Sequence, residues 1–287
     1  MIMGSHSVAA FLAALVFIAQ PVQASPLVAG ADHAKEDHSG EDHSGETLTA
    51  ITVSEADFSS ADLSDTVLVD ANAAKTLFID AWLIGTDLTD ANLDEADFTD
   101  ADLTDATLAG AVANKAKFIN VIAQGADFSS GDLAEADFEG ADLSDAILTD
   151  VNASKANFQD VVAPGAEFSG ADLQEADFEG ADLSDAIMTD VIAKKVKFEG
   201  AILDGVDLSG SDVDEANFSG ASLLGADLSD LTNADTADWT DALYDDETIF
   251  DPGFDPGDLT FAPEPDGNLG LLAGAVVLAF LRRRRVA

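Results

Sequence analysis

Nine phenylalanines recur at intervals of twenty residues along this chain: Phe58, Phe78, Phe98, Phe118, Phe138, Phe158, Phe178, Phe198 and Phe218. Between them an apolar or alanine residue stands at every fifth position from Phe58 to Leu228, and a small residue usually stands two positions earlier. Neither the 3.6-residue period of a helix nor the two-residue period of a simple strand produces this pattern. The spacing predicts short extended segments joined by turns, with four segments in each coil and the nine rings stacked in one internal column.

A column of alternating charge has the same twenty-residue spacing: Glu55, Lys75, Glu95, Lys115, Glu135, Lys155, Glu175, Lys195 and Glu215. Stacked coils of a parallel β-structure lie about 4.8 Å apart, so each lysine is expected between two glutamates. Each exposed pair contributes only about 0.2–1 kcal/mol. We expect the column mainly to disfavour a shift by one coil, since that shift would place lysine against lysine.

The pentads, for example ADFEG followed by ADLSD at residues 136–145, closely resemble the pentapeptide-repeat family. That resemblance implies an all-β fold, a right-handed quadrilateral parallel β-helix with four pentads per coil. We assign residues 54–245 to this solenoid, about nine to ten coils, and residues 246–262 to an exit segment. Trp239 and Tyr244 are predicted to cover its open end, because solenoids need distinct terminal units.

Both ends of the chain are predicted to be targeting segments. Residues 1–24 resemble a signal peptide with cleavage between Ala24 and Ser25, although a simple hydrophobic tail is the alternative. Residues 263–287 resemble a PEP-CTERM sorting signal, which implies export and an exosortase-like processing enzyme as partner; an ordinary membrane anchor is the alternative. That tail contains a short motif, an apolar run and an arginine cluster: Pro263, Glu264, Pro265, Arg282, Arg283, Arg284 and Arg285.

The segment between signal peptide and solenoid, residues 25–53, is interpreted as an acidic, histidine-containing linker. His33, His38 and His43 are spaced by five residues and are candidate weak metal ligands. We favour a solvated spacer, because no ordered neighbour is predicted to hold them. On this interpretation the sequence contains no metal site and no cofactor site.

The charge balance restricts the possible functions. The chain has 12 Lys and Arg against 56 Asp and Glu, a formal net charge of −44, which disfavours nucleic acid as a partner because phosphate binding requires a basic face. The predicted solenoid has neither His nor Cys, and its convex repeats predict no catalytic residue, so we do not expect an enzyme. Val67, Ile147 and Ile187 form one outward apolar column, and Trp82, Ile122, Val162 and Ile202 form another, which we attribute to the preference of β-strands for such residues.

Three functions are compatible with these sequence features. The first is an exported, noncatalytic structural or protein-interaction solenoid of the cell surface or extracellular matrix, with an unidentified protein or matrix partner and a C-terminal segment that contacts the membrane before processing. The second is an acidic DNA mimic, since some pentapeptide-repeat proteins present an acidic rod to a topoisomerase. The third is a surface protein that binds divalent cations along its acidic coils.

Overall fold

Each pentad of this protein forms one side of a square coil. The computed structural model describes residues 26–254, 257 and 259–262. Within each pentad one residue bridges to the neighbouring coils, the residues on either side of it point inward, and the last two form a turn. The bridges are parallel and join residues twenty apart, from Asp32–Thr52 to Asp212–Thr232. This confirms the predicted right-handed quadrilateral β-helix.

The turns require a left-handed backbone conformation at every fifth residue. In the turn after Phe58, the amide of Ala61 donates to the carbonyl of Phe58 at 3.0 Å, and Ser60 has a φ of 57°. A positive φ at the third turn residue is the mark of a type II turn. Short polar residues and glycine tolerate this conformation best, which explains why Asp, Ser and Gly recur at this position.

The core is a continuous stack of rings and aliphatic side chains. Successive phenyl rings from Phe58 to Phe218 lie nearly parallel with centroids 4.5–5.7 Å apart. Phe128 and Phe168 add second rings that meet the column edge to face. Alanines occupy the inward positions beside these extra rings, so that ring volume and aliphatic volume alternate as close packing requires.

Polar side chains at inward positions are satisfied by the backbone. Thr66, Thr76 and Thr86 are fully buried, and each hydroxyl donates to a main-chain carbonyl 23 residues earlier at 2.7–2.8 Å. Ser211 does the same toward Met188 at 2.8 Å. These hydroxyls therefore avoid the cost of burying an unpaired donor.

The register changes near the C-terminal end. Beyond residue 232 the bridged residues are no longer twenty apart: the spacing is 21 in Asn217–Asp238 and 22 in Asp227–Ile249. Two short pairs of parallel strands follow: β1 (Asp227–Leu228) pairs with β3 (Ile249–Phe250), and β2 (Leu243–Tyr244) pairs with β4 (Thr260–Phe261). Part of the predicted exit segment thus continues the ladder.

The N-terminal end also differs from the prediction. Residues 26–53, which we interpreted as linker, form regular coils bridged to the next ones, for example Asp37 to Asp57. His33, His38 and His43 occupy inward positions there and are buried. Their side chains take the places that Phe and Leu hold elsewhere, so the spacer interpretation was wrong and the solenoid is longer than nine to ten coils.

Candidate functional site

The outer faces carry rows of carboxylates that alternate with donors. Asp97 accepts a hydrogen bond from the Nζ of Lys117 at 2.9 Å, and Asp177 accepts one from Lys197 at 2.7 Å. Asn152 and Asn157 donate to the aspartates twenty residues earlier at 2.8 Å. These asparagine amides bind the stacked carboxylates and so offset the repulsion between coils.

The environment of Asp97 illustrates how these rows hold their charge. Partial burial, the largest influence, raises the pKa of its carboxyl, but the hydrogen bonds from Lys117 and Thr99 together outweigh it. The net result is a pKa below the usual value, because hydrogen bonds to the ionised form stabilise it. The same contact raises the pKa of Lys117, first through the hydrogen bond and then through the charge of Asp97.

The predicted Glu–Lys column lies on one edge of the coil. Lysine Nζ atoms lie 3.3–3.7 Å from a glutamate oxygen twenty residues later in four pairs: Lys35–Glu55, Lys75–Glu95, Lys115–Glu135 and Lys195–Glu215. We expected each lysine to lie between two glutamates. Among the described residues, these lysines come within 4.0 Å only of the glutamate in the following coil.

One face exposes large apolar side chains between aspartates. Trp82, Ile122 and Val162 are 58%, 45% and 39% exposed, and parallel bridges place Asp102 and Asp142 between them. The side chains therefore stand two coils apart, each flanked by carboxylates. This arrangement combines contact area with charge on a convex face.

The first complete coil contains a cluster of imidazoles and carboxylates. Glu36 Oε2 lies 2.9 Å from His33 Nδ1 and 3.3 Å from His38 Nε2. Glu41 Oε2 lies 2.9 Å from His38 Nδ1 and 3.1 Å from His43 Nε2. Across the described ranges, these two triplets are the groups of three or more His, Cys, Asp or Glu whose ligand atoms converge within 4.8 Å. Sequence reasoning named the three histidines as candidate weak ligands but favoured a solvated spacer and assigned no metal site, although their five-residue spacing already matched the inward positions.

The predicted terminal sites fall on the two ends of the chain. Ala24, Ser25, the Pro263–Pro265 motif and the arginines 282–285 lie outside the described residues. In the part of the chain that the structure describes, no helix is long and apolar enough to cross a membrane.

Comparison with known proteins agrees with the coil geometry. The family model described as Pentapeptide repeats matches eight copies over residues 54–90, 91–129, 124–160, 154–190, 166–205 and 201–235. The chain belongs to the pentapeptide-repeat family. No curated protein matches it significantly.

Solved pentapeptide-repeat structures resemble this one to different extents. HetL from the cyanobacterium Nostoc sp. strain PCC 7120, a protein involved in heterocyst differentiation regulation, is 27% identical with a TM-score of 0.68, covering 75% of this chain and 94% of its own. A pentapeptide-repeat protein of the Arabidopsis thaliana thylakoid lumen is 29% identical with a TM-score of 0.21, covering 44% and 70%. QnrB1, a plasmid-mediated fluoroquinolone resistance protein, is 20% identical with a TM-score of 0.35, covering 86% and 97%. Of these three, only HetL supports a match in overall shape.

Proposed function

We propose that this pentapeptide-repeat protein is an exported, noncatalytic interaction solenoid of the cell surface or its extracellular matrix. The observation that carries the proposal is the face on which Trp82, Ile122 and Val162 stand exposed between aspartates. Exposed aromatic and aliphatic side chains supply contact area at protein interfaces, and flanking carboxylates select a cationic partner. The partner that fits this face is a protein surface with basic side chains around apolar recesses.

The closed core supports a noncatalytic role. The inward positions between Phe58 and Phe218 are filled, and the carboxylates stand on convex outer faces. A catalytic carboxylate pair needs a sheltered site that separates the two pKa values, and repeated convex coils are poorly suited to form one. Export rests on the predicted signal peptide and PEP-CTERM-like tail.

The binding face is tested by crosslinking in the source cells. We expect the triple change Trp82→Ser, Ile122→Ser and Val162→Ser to remove the crosslinked partner. The matched control is Val112→Ser with Ile192→Ser, because these side chains are also exposed but lie in a column two sides further round the coil. Equal loss in both variants, or in neither, would contradict the assignment of this face.

Cell fractionation tests export and distinguishes the exported solenoid from the DNA-mimic alternative. We expect a mature protein beginning at Ser25 in the envelope or outside the cell. The acidic rod has the charge of a DNA mimic, and such a mimic would act in the cytosol. Recovery of the protein in the cytosol with an uncut N terminus would therefore favour the DNA-mimic function over ours.

Cation binding along the acidic rows is the third possibility. The carboxylates there already accept hydrogen bonds from lysines, asparagines and turn amides. Calcium titration by calorimetry, with the melting temperature measured in parallel, tests it directly. We expect only weak, salt-sensitive heats without a defined stoichiometry.

A further inference from the structure

We propose that the N-terminal coil binds one divalent transition-metal ion of the zinc type through His38, Glu41 and His43. Their ligand atoms are His38 Nδ1, Glu41 Oε2 and His43 Nε2, with the glutamate oxygen 2.9 Å and 3.1 Å from the two nitrogens. Ligand atoms around a tetrahedral ion at about 2.0–2.1 Å lie roughly 3.3 Å apart. These two oxygen–nitrogen separations are therefore close to those of a zinc site, and all three ligand atoms lie within 4.8 Å of one another.

The donor set suits this class of ion. Imidazole nitrogen with carboxylate oxygen is a common zinc environment, whereas Mg²⁺ and Ca²⁺ prefer sites built from oxygen alone. Three protein ligands leave one tetrahedral position for water. The metal ligands available on the acidic faces are oxygen atoms. We therefore expect those faces to bind zinc more weakly than the cluster that contains two imidazoles.

Two buried nitrogens of this cluster lack a hydrogen-bond partner. They are His38 Nε2 and His43 Nδ1, on side chains that are only 1% and 6% exposed. The other nitrogen of each ring faces Glu41. The nearest carboxylate oxygens to the two unpartnered nitrogens belong to Glu36, 3.3 Å from His38 Nε2, and to Glu46, 3.5 Å from His43 Nδ1.

Metal binding would give both nitrogens of each ring a partner. An ion bound to the two nitrogens that face Glu41 leaves the ring protons on His38 Nε2 and His43 Nδ1. Each N–H then faces a carboxylate of Glu36 or Glu46. Histidine ligands of metals are usually oriented by such a carboxylate on the second nitrogen, so the coil already contains this outer support.

The neighbouring triplet of His33, Glu36 and His38 is a poorer site. The amide of Val28 donates to His33 Nε2 at 3.4 Å, so the proton of His33 belongs on Nδ1, where it donates to Glu36 at 2.9 Å. Coordination through Nδ1 would move that proton to Nε2, against the amide donor. The two triplets also share His38. A neutral imidazole keeps a proton on one nitrogen, so this ring can bind an ion at only one of the two triplets.

A set of matched variants separates this site from the acidic surface. Zinc is titrated into the full-length protein by calorimetry in excess Mg²⁺, which occupies the oxygen sites. We expect one zinc ion per chain, and a loss of affinity of at least about tenfold in His43→Leu. His38→Phe, which restores the residue of the ring column, should abolish the site while keeping the stack on Phe58.

The control is His33→Leu, which should retain the wild-type affinity. Leu93 occupies the inward column of residue 33, and Leu63 occupies that of residue 43. Leucine therefore fits both columns, and both leucine variants should fold. Urea unfolding verifies this. Zinc binding that persists in His38→Phe, equal loss in both leucine variants, or the absence of a one-to-one site would overturn the proposal.

A second readout tests the geometry. Long-range ¹⁵N–¹H spectra of the histidines report which ring nitrogen carries the proton. We expect the zinc-bound protein to carry the ring proton of His38 on Nε2 alone, and the spectrum of His33 to be unchanged by zinc. A shift at His33, or a proton on Nδ1 of His38 in the zinc-bound protein, would contradict the assigned ligands.

Discussion

The indole ring of Trp239 lies on the phenyl ring of Phe218 with centroids 4.3 Å apart and an angle of 4° between the planes. This contact continues the ring column across the point where the coil spacing changes from 20 to 21 residues. The indole N–H donates to the carbonyl of Ala234 at 2.9 Å, and Phe254 packs against the ring edge. Trp239 therefore covers the last phenylalanine and connects the regular coils to the irregular end.

Removal of this cover is expected to destabilise the solenoid. Trp239→Ala should lower the free energy of unfolding by about 3–5 kcal/mol, because a large buried ring is lost and its neighbours cannot fill the space. Trp239→Phe keeps an aromatic ring on the stack but loses the hydrogen bond, worth about 0.5–1.5 kcal/mol, and part of the buried ring, so its cost should be smaller than that of the alanine variant. Urea unfolding measures both. Equal effects in the two variants would show that the stack on Phe218 contributes little.

The centre of the column should be at least as sensitive. The ring centroid of Phe138 lies 4.6 Å from that of Phe118 and 4.9 Å from that of Phe158. The ring of Phe128 meets it edge to face. We expect Phe138→Ala to cost about 3–5 kcal/mol and Phe138→Leu much less, because leucine leaves a smaller cavity. Chemical denaturation measures the difference. An alanine variant as stable as the leucine variant would indicate that neighbouring coils collapse into the space.

The ion pair of Lys117 and Asp97 predicts a pH dependence. The folded-state pKa of Asp97 is depressed, so its stabilising contribution is present above the unfolded value near 3.8 and is lost as the pH falls through the folded value. Lys117→Met should therefore destabilise the protein by about 0.2–1 kcal/mol at neutral pH and by less in acid.

The control for this prediction is Lys155→Met. Within the described residues Lys155 forms no ion pair shorter than 4.0 Å, so its removal should have a smaller and less pH-dependent effect. Unfolding curves at several pH values give the comparison. A constant difference between wild type and Lys117→Met from neutral pH into acid would contradict the role of Asp97.

Added salt should stabilise the rod. The net charge of −44 opposes compaction, and carboxylates recur at outward positions of neighbouring coils, as at Asp37 and Asp57. Raising the salt from about 20 to about 500 mM shortens the Debye length to a few ångströms and screens this repulsion. We expect a higher melting temperature by calorimetry. A lower one would mean that the direct ion pairs outweigh the repulsion.

The regular coils were predictable because their period is exposed in the residue types themselves. Phenylalanine recurs every twenty residues, as at Phe98, and charge alternates at the same spacing, as at Lys115 and Glu135. Together these two patterns are compatible with only one register of stacked coils. The N-terminal coils were missed for a physical reason. His38 stands twenty residues before Phe58, and their stacked ring centroids lie 4.9 Å apart. Hydropathy does not identify His38 as a core residue, because imidazole is polar and acidic residues stand beside it in the sequence.

The sequence by itself determined the repeat, the inward column from Phe58 to Phe218 and the charge pattern along the edges, since each depends only on which residues are twenty apart. Tertiary structure alone decided where the solenoid begins, how Trp239 crosses the change of register, and that His38, Glu41 and His43 converge. The pentad spacing does place the three histidines at inward positions. Which ring nitrogens meet a carboxylate, and how the coils end, depend on side-chain conformations and on the closed backbone, and residue spacing does not encode those.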